Sequence, residues 1–225
     1  MNKLRILLAA VSIVLIGLIS CSTDGTENKE EQFWEWFKSN ESQYFSDSDN
    51  SEKLFDELSS ELHKVDENLT FEFSPINKSS VKEFTISADG IVDAFPAVMV
   101  LVKKAPKLPN WKINAFRQRV PGDSIEIKYD SFKIAYEDVY FRYSPDADKL
   151  EIQLNIRGFK DTPDFKNATY VLLDGLIGEY DMETKISAID FKALEETEKA
   201  KLFKIIYLRQ VVDELKKDNN TDAFR

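Results

Sequence analysis

Between residues 124 and 156 apolar and polar side chains alternate almost without interruption, and a period of two commits that stretch to strands with one packed face and one wet face. Ile125, Ile127 and Tyr129 form the first set, Phe132, Ile134 and Tyr136 the second, and Val139, Phe141 and Tyr143 the third. A turn-forming stretch at 144–149 (SPDADK) leads into Leu150, Ile152, Leu154 and Ile156. Two earlier runs alternate in the same way: Leu69, Phe71 and Phe73, then Phe84, Ile86 and Ala88. A sheet with one apolar face must be covered, and helices are the remaining material.

Helical spacing is present where cover is needed. Phe33, Trp36, Phe37 and Tyr44 form an aromatic face over residues 32–44, and Leu54, Phe55, Leu58, Leu62 and Val65 form a stripe over 51–65. Asp93 is placed to cap a third helix, with Pro96 in its first turn and Pro106 and Pro109 ending it. Residues 165–177 are apolar nearly all round and are expected to form the most buried helix. Residues 195–217, acids first and lysines last as the helix dipole favours, are expected to form the final one. Residues 111–119 and 186–191 read as strands and 178–185 as a loop. Strands joined mostly by hairpins, with helices at both ends and one inserted, describe an α+β domain built on a largely antiparallel sheet over residues 32–217, followed by a polar tail at 218–225. No internal repeat is visible in the residues.

With Lys+Arg 30 against Asp+Glu 40 the formal net charge is -10, and no basic stripe interrupts it. Nucleic acid is excluded as a partner, since phosphate binding depends on clustered Lys and Arg. The start of the chain is different in kind. Lys3 and Arg5 precede an apolar run over residues 6–19, too short for the roughly 20 residues that cross a bilayer, after which the chain turns polar at once. That is the pattern of a secretory signal peptide.

The run ends in Leu18-Ile19-Ser20-Cys21, which resembles the lipobox of bacterial lipoproteins. The resemblance implies diacylglyceryl transfer to the Cys21 thiol, cleavage of residues 1–20 and acylation of the new amino group, anchoring the protein to a membrane that it does not span. Ser22 stands where an aspartate would favour inner-membrane retention, so the resemblance implies the outer membrane, with the domain facing periplasm or surface. Residues 21–31 then read as the lipidated cysteine and a flexible tether. The remainder is similar to a family of bacterial proteins often found in Bacteroidota, through Phe33-Trp34-Glu35-Trp36-Phe37, Ile86-Ser87-Ala88-Asp89-Gly90, Phe95-Pro96, Ala115-Phe116-Arg117 and Leu172-Leu173-Asp174. That resemblance spans most of residues 32–215 and implies a shared fold but no activity.

Chemistry is sparse. Cys21 is the only cysteine and His63 the only histidine, so neither a zinc site nor a paired nucleophile can be assembled, and no catalytic residue or cofactor is assigned. Glu179, Asp181 and Glu183 are expected in a solvated acidic loop, with calcium binding as the sharper reading of their spacing. Within 111–119 (WKINAFRQR), alternation puts Trp111, Arg117 and Arg119 on one face as ligand-binding candidates. An inward arginine needs a carboxylate or an anionic ligand, and both readings stand. Trp34 and Phe45 fall off the aromatic face, so they belong either to the core or to an exposed patch for a partner. The leading expectation is a binding module held to the membrane by Cys21, with a protein or small anionic ligand as partner. A carboxylate-based hydrolase of cell-envelope material and a structural envelope lipoprotein are the alternatives. Intact mass spectrometry of the membrane-extracted chain is expected to give residues 21–225 plus acyl chains, and Cys21→Ala to give an unacylated product.

Overall fold

The structure, a computed structural model, describes residues 28–46, 51–129 and 131–222; residues 1–20, expected to be a signal peptide, and Cys21 lie outside them. Among the described residues no helix is long and apolar enough to cross a membrane. Helix α1 (Lys29–Phe45) starts within the expected tether, because the Asn28 side chain accepts the Glu31 N–H and two acids fill the first turn. Helix α2 (Ser51–Val65) follows. Strands β1 (Thr70–Phe73) and β2 (Lys82–Ser87) form the expected antiparallel hairpin. A 3-10 turn (Val92–Ala94) and helix α3 (Phe95–Lys103) then cross to β3 (Trp111–Ala115), which pairs with β2 in parallel.

Parity decides how this three-stranded sheet is used. Phe71, Phe73, Phe84, Ile86, Trp111 and Ile113 share one face, which packs against α1, α2 and α3. Phe37 sits 4.8 Å from Phe84 and 5.3 Å from Trp111 between ring centroids. Trp34 is buried too, its Nε1 donating to the Leu101 carbonyl at 2.8 Å, so the exposed-patch reading of Trp34 gives way to the core. Helix α1 has no basic residue in its last turn; Lys82, buried on the apolar face, reaches across from β2 and donates from Nζ to the Tyr44 carbonyl at 2.9 Å.

A second core belongs to the rest of the chain. Strands β4 (Glu126–Tyr129) and β5 (Phe132–Ala135) form a separate hairpin, and β6 (Val139–Asp146) and β7 (Lys149–Ile156) a longer one. Helix α4 (Pro163–Ile177) and helix α5 (Glu179–Lys185) carry the chain to β8 (Ile186–Ala193), parallel to β7. The two-residue β9 (Phe203–Lys204) closes the other edge beside β6, and α6 (Leu208–Asp222) finishes the fold. The protein is α+β as expected. Its strands, however, form three sheets, and the long helical crossovers allow two parallel pairs.

Several local expectations change. Residues 179–185 are helix α5, not loop. The final helix begins at Leu208 because residues 195–207 are consumed by 3-10 turns and β9, and it runs past Lys217 to Asp222. Helix α4 buries Phe165, Leu172, Leu173, Leu176 and Ile177 but leaves Tyr170 and Val171 exposed. A repeat of topology, absent from the residues, is plain in the strands. In both β1-β2-α3-β3 and β6-β7-α4-α5-β8 a hairpin is followed by a helical crossover to a strand parallel to its second member. Phe84, fully buried among Phe37, Phe73 and Trp111, is expected to cost about 3–5 kcal/mol on Phe84→Ala. Exposed Phe55 is expected to cost under about 1 kcal/mol on the same change, with urea unfolding as the measurement.

Candidate functional site

The segment after β3 sets the site. Phe116 adopts φ 64, its N–H bonding the Ile86 carbonyl at 2.8 Å and its ring packing 4.5 Å from Phe95 and 5.2 Å from Tyr180. This left-handed residue ends the strand and breaks the alternation that was expected to run to Arg119. Beyond it the chain lies along the C-terminal end of α4. Val120 N–H bonds the Gly175 carbonyl at 2.8 Å, and Arg119 Nε bonds the Ile177 carbonyl at 2.8 Å, so two free helix carbonyls are capped from outside. Gly178, at φ +86, takes a backbone conformation that other residues rarely adopt and carries the chain from the end of α4 straight into Glu179.

The joint between the two cores is a carboxylate. Glu179, only 1% exposed, accepts the Ser87 hydroxyl at 2.8 Å, the Ala88 and Gly90 N–H groups at 3.3 Å and the Arg117 N–H at 3.0 Å, while its own N–H donates to the Arg117 carbonyl at 3.1 Å. Asp89 and Gly90, both at positive φ, curl the backbone so that its N–H groups converge on the anion. Asp181 is also buried and receives Arg119 at 2.9 Å and Lys216 at 2.8 Å. Glu179 and Asp181 therefore form neither a solvated loop nor an open calcium site. Among the described residues no group of three His, Cys, Asp or Glu is gathered as a metal centre.

Beside this joint opens a cleft of about 730 Å³, within the range of small-molecule sites. Its floor is the polar face of the first sheet, where Glu72, Thr85 and Asn114 stand in register across β1, β2 and β3, with Glu83 and Lys112 one step along. Its wall is α4, through Val171, Asp174 and Gly175, and its rim is the Arg117–Pro121 segment. The cations of the cleft are taken. Lys112 pairs with Glu83 at 3.0 Å, Arg117 bridges Glu72 and Asp89, and Arg119 is held by Asp181 and by Asp213 at 2.8 Å. Burial works against the charge on Arg117, and Glu72 and Asp89 overcome it, so its pKa lies above the ordinary guanidinium value.

The chain matches no protein-family model, no curated protein and no solved structure.

Asp174 is the exception to this pairing. Among the described residues it has no hydrogen bond or salt bridge to its side chain. Burial, with Arg117 opposing and Glu179, Glu183 and Asp89 adding to it, pushes its pKa up to about 7. Of the sequence candidates, Arg117 and Arg119 come together at the cleft, while Trp111 turns to the opposite face of the sheet, 8% exposed, and borders a separate depression of about 370 Å³ beside Pro106 and Leu108. The sequence does not single out Asp174, and it presents Glu179 only as one acid of a solvated loop or calcium site, not as a buried joint. The available signal for Asp174 was a lone acid inside the apolar run Leu172-Leu173-Asp174-Gly175-Leu176.

Replacing the joint tests its weight. Glu179→Ala strands the Arg117, Ala88 and Gly90 N–H groups and the Ser87 hydroxyl, and is expected to cost roughly 3 kcal/mol or more in urea unfolding, with Glu179→Gln costing less because one acceptor oxygen remains.

Proposed function

We propose that the protein is a ligand-binding module, held to the cell envelope by a lipid on Cys21, whose cleft takes a small polar molecule bearing a cationic group. The observation that carries this reading is the balance of charge in the cleft: every lining cation is already neutralised by a carboxylate, and among the described residues Asp174 is the lining carboxylate with no hydrogen bond or ion pair. The arginines that suggested an anionic ligand are thereby removed as free receptors. Glu83, Thr85 and Asn114 on the floor offer hydrogen bonds to a polar body, and Phe73 and Val171 offer apolar contact. The net charge of -10 favours the approach of cations from solution.

One specific observation favours a second reading, a carboxylate-based hydrolase. Asp174, with its pKa near 7, lies close enough to Asp89 for the two to interact, and Asp89 is itself ion-paired with Arg117. A protonated carboxyl beside an ionised one is the arrangement general acid catalysis uses. Binding is preferred because Asp89 and Glu72 are committed to Arg117 and do not present a free nucleophile or base.

A cation binds the ionised form of Asp174, so affinity must rise with pH through about 7 and level off above it. Titration calorimetry with lysine amide, arginine amide and spermidine is expected to show that rise, and Asp174→Asn is expected to weaken binding about tenfold and flatten its pH dependence. Equal affinity in the variant overturns the cationic-ligand reading. Turnover of envelope polymer by the wild type, lost in Asp174→Asn, supports the hydrolase instead.

A further inference from the structure

Helix α3 is apolar on the side that packs and on the side that does not. Phe95, Val98 and Leu101 are buried, whereas Val92 in the preceding turn, Pro96, Met99 and Val100 lie at i, i+4, i+7 and i+8 and form an exposed stripe, Met99 being 50% and Val92 49% exposed. Exposed Lys103 continues the stripe at the helix end, and exposed Lys107 follows it. An acidic protein thus gathers lysines where its most exposed apolar helix ends.

The chain that leads to Cys21 starts from the same place. Lys104 Nζ, just past the end of α3, donates to Asn28 Oδ1 at 2.6 Å and pairs with Glu30 at 3.0 Å, which pins the first described residues to this end of the helix. Six residues lie between Cys21 and Asn28, seven steps of chain and a reach of at most about 25 Å. A lipid on Cys21 therefore keeps the end of α3 within that distance of the bilayer, and an apolar stripe with lysines beside it fits an interface of acyl chains and anionic headgroups.

We propose that the stripe Val92, Pro96, Met99 and Val100, flanked by Lys103 and Lys107, is the face on which the anchored protein rests on the membrane. This inference relies on the lipid anchor proposed above. A patch of this size binds lipid weakly alone, and the tether supplies the effective concentration that makes contact persistent. The orientation has a consequence for the cleft. Helix α3 covers the apolar face of the β1-β2-β3 sheet and the cleft lies on its polar face, so a protein resting on α3 opens its cleft away from the bilayer.

The test uses the lipidated chain in vesicles of phosphatidylethanolamine and phosphatidylglycerol, with an environment-sensitive fluorophore on Met99→Cys or, as the comparison site, on Ser144→Cys at the exposed end of β6; the acylated Cys21 does not react with the label. The Met99→Cys label is expected to shift to the blue and to be quenched about twofold or more by brominated lipid, with the Ser144→Cys label unchanged. Adding Val100→Asp is expected to abolish the shift while the protein still floats with the vesicles. Flotation with both labels in water overturns the resting face and leaves the anchor standing. Failure to float, with no acyl mass on Cys21, overturns the anchor and the resting face with it. A concentration-dependent blue shift of Met99→Cys in the Cys21→Ala chain without vesicles assigns the stripe to a second copy of the protein and overturns the membrane contact.

Discussion

A carboxylate withdrawn from water is tolerated only when protein donors replace its hydration, and Glu179 receives the Ser87 hydroxyl and the N–H groups of Ala88, Gly90 and Arg117. All of these donors come from the N-terminal core, whereas Glu179 opens α5 in the C-terminal one. The two ββαβ units are thus joined through a hydrogen-bonded anion, and apolar contact between Phe116, Phe95 and Tyr180 lies beside it. Because hydrogen bonds are directional, this joint fixes the relative placement of the units more sharply than apolar packing alone would. The cleft exists only because that placement holds the polar face of the first sheet opposite α4.

The same joint determines the electrostatics of the cleft. Arg117 contributes its backbone to Glu179 and its side chain to Glu72 and Asp89, so the residue that locks the cores also neutralises the carboxylates at the rim. Arg119 does the corresponding work below, tying the Ile177 carbonyl, Asp181 and Asp213 together. What remains is a carboxyl on α4 with no hydrogen bond or ion pair among the described residues, its charge disfavoured first by burial and then by Glu179, Glu183 and Asp89, with Arg117 opposing. Asp174 stays half-buried against those neighbours because protonation relieves its charge, and a cation in the cleft would relieve it in another way.

Much of this fold could be read from residue order, and the parts that could not have a common physical cause. Strict alternation identified β1, β2, β6 and β7, and helical spacing identified α1, α2, α3 and α4, because in those elements one face meets a core made by neighbours in sequence. Alternation failed at Phe116, where long-range packing against Phe95 and Tyr180 accompanies a conformation that no local pattern announces. It failed again at residues 179–185, whose alternate acids imitate a wet loop; Glu179 and Asp181 are buried because Ser87, Arg117, Arg119 and Lys216 arrive from distant elements. Residues 195–207 carry helical composition, yet the open edge of β6 recruits Phe203 and Lys204 as a strand instead. The site was half legible for the same reason. Arg117 and Arg119 were conspicuous as inward charges, while their partners, and the isolation of Asp174, are properties of the tertiary arrangement.

The repeated topology sharpens the contrast between the two units. In each, the crossover helix packs on the apolar face of its own sheet, and the sheet's polar face is left over. The C-terminal unit leaves much of that face to solvent, with Arg142, Glu151 and Asp190 exposed on it and Tyr140 and Asn155 buried at one end. The N-terminal unit turns its polar face toward α4 of the C-terminal unit and encloses a cleft. A polar sheet face costs nothing in water, but enclosed by a second unit its charges must be paired, and Glu83 with Lys112 and Glu72 with Arg117 meet that demand. Among the described lining residues Asp174 is the carboxyl without a hydrogen bond or ion pair, and burial there raises its pKa, a desolvation that a neutral Asn would not carry. Its place in the wall of the cleft is the physical reason why the proposed binding reading centres on Asp174.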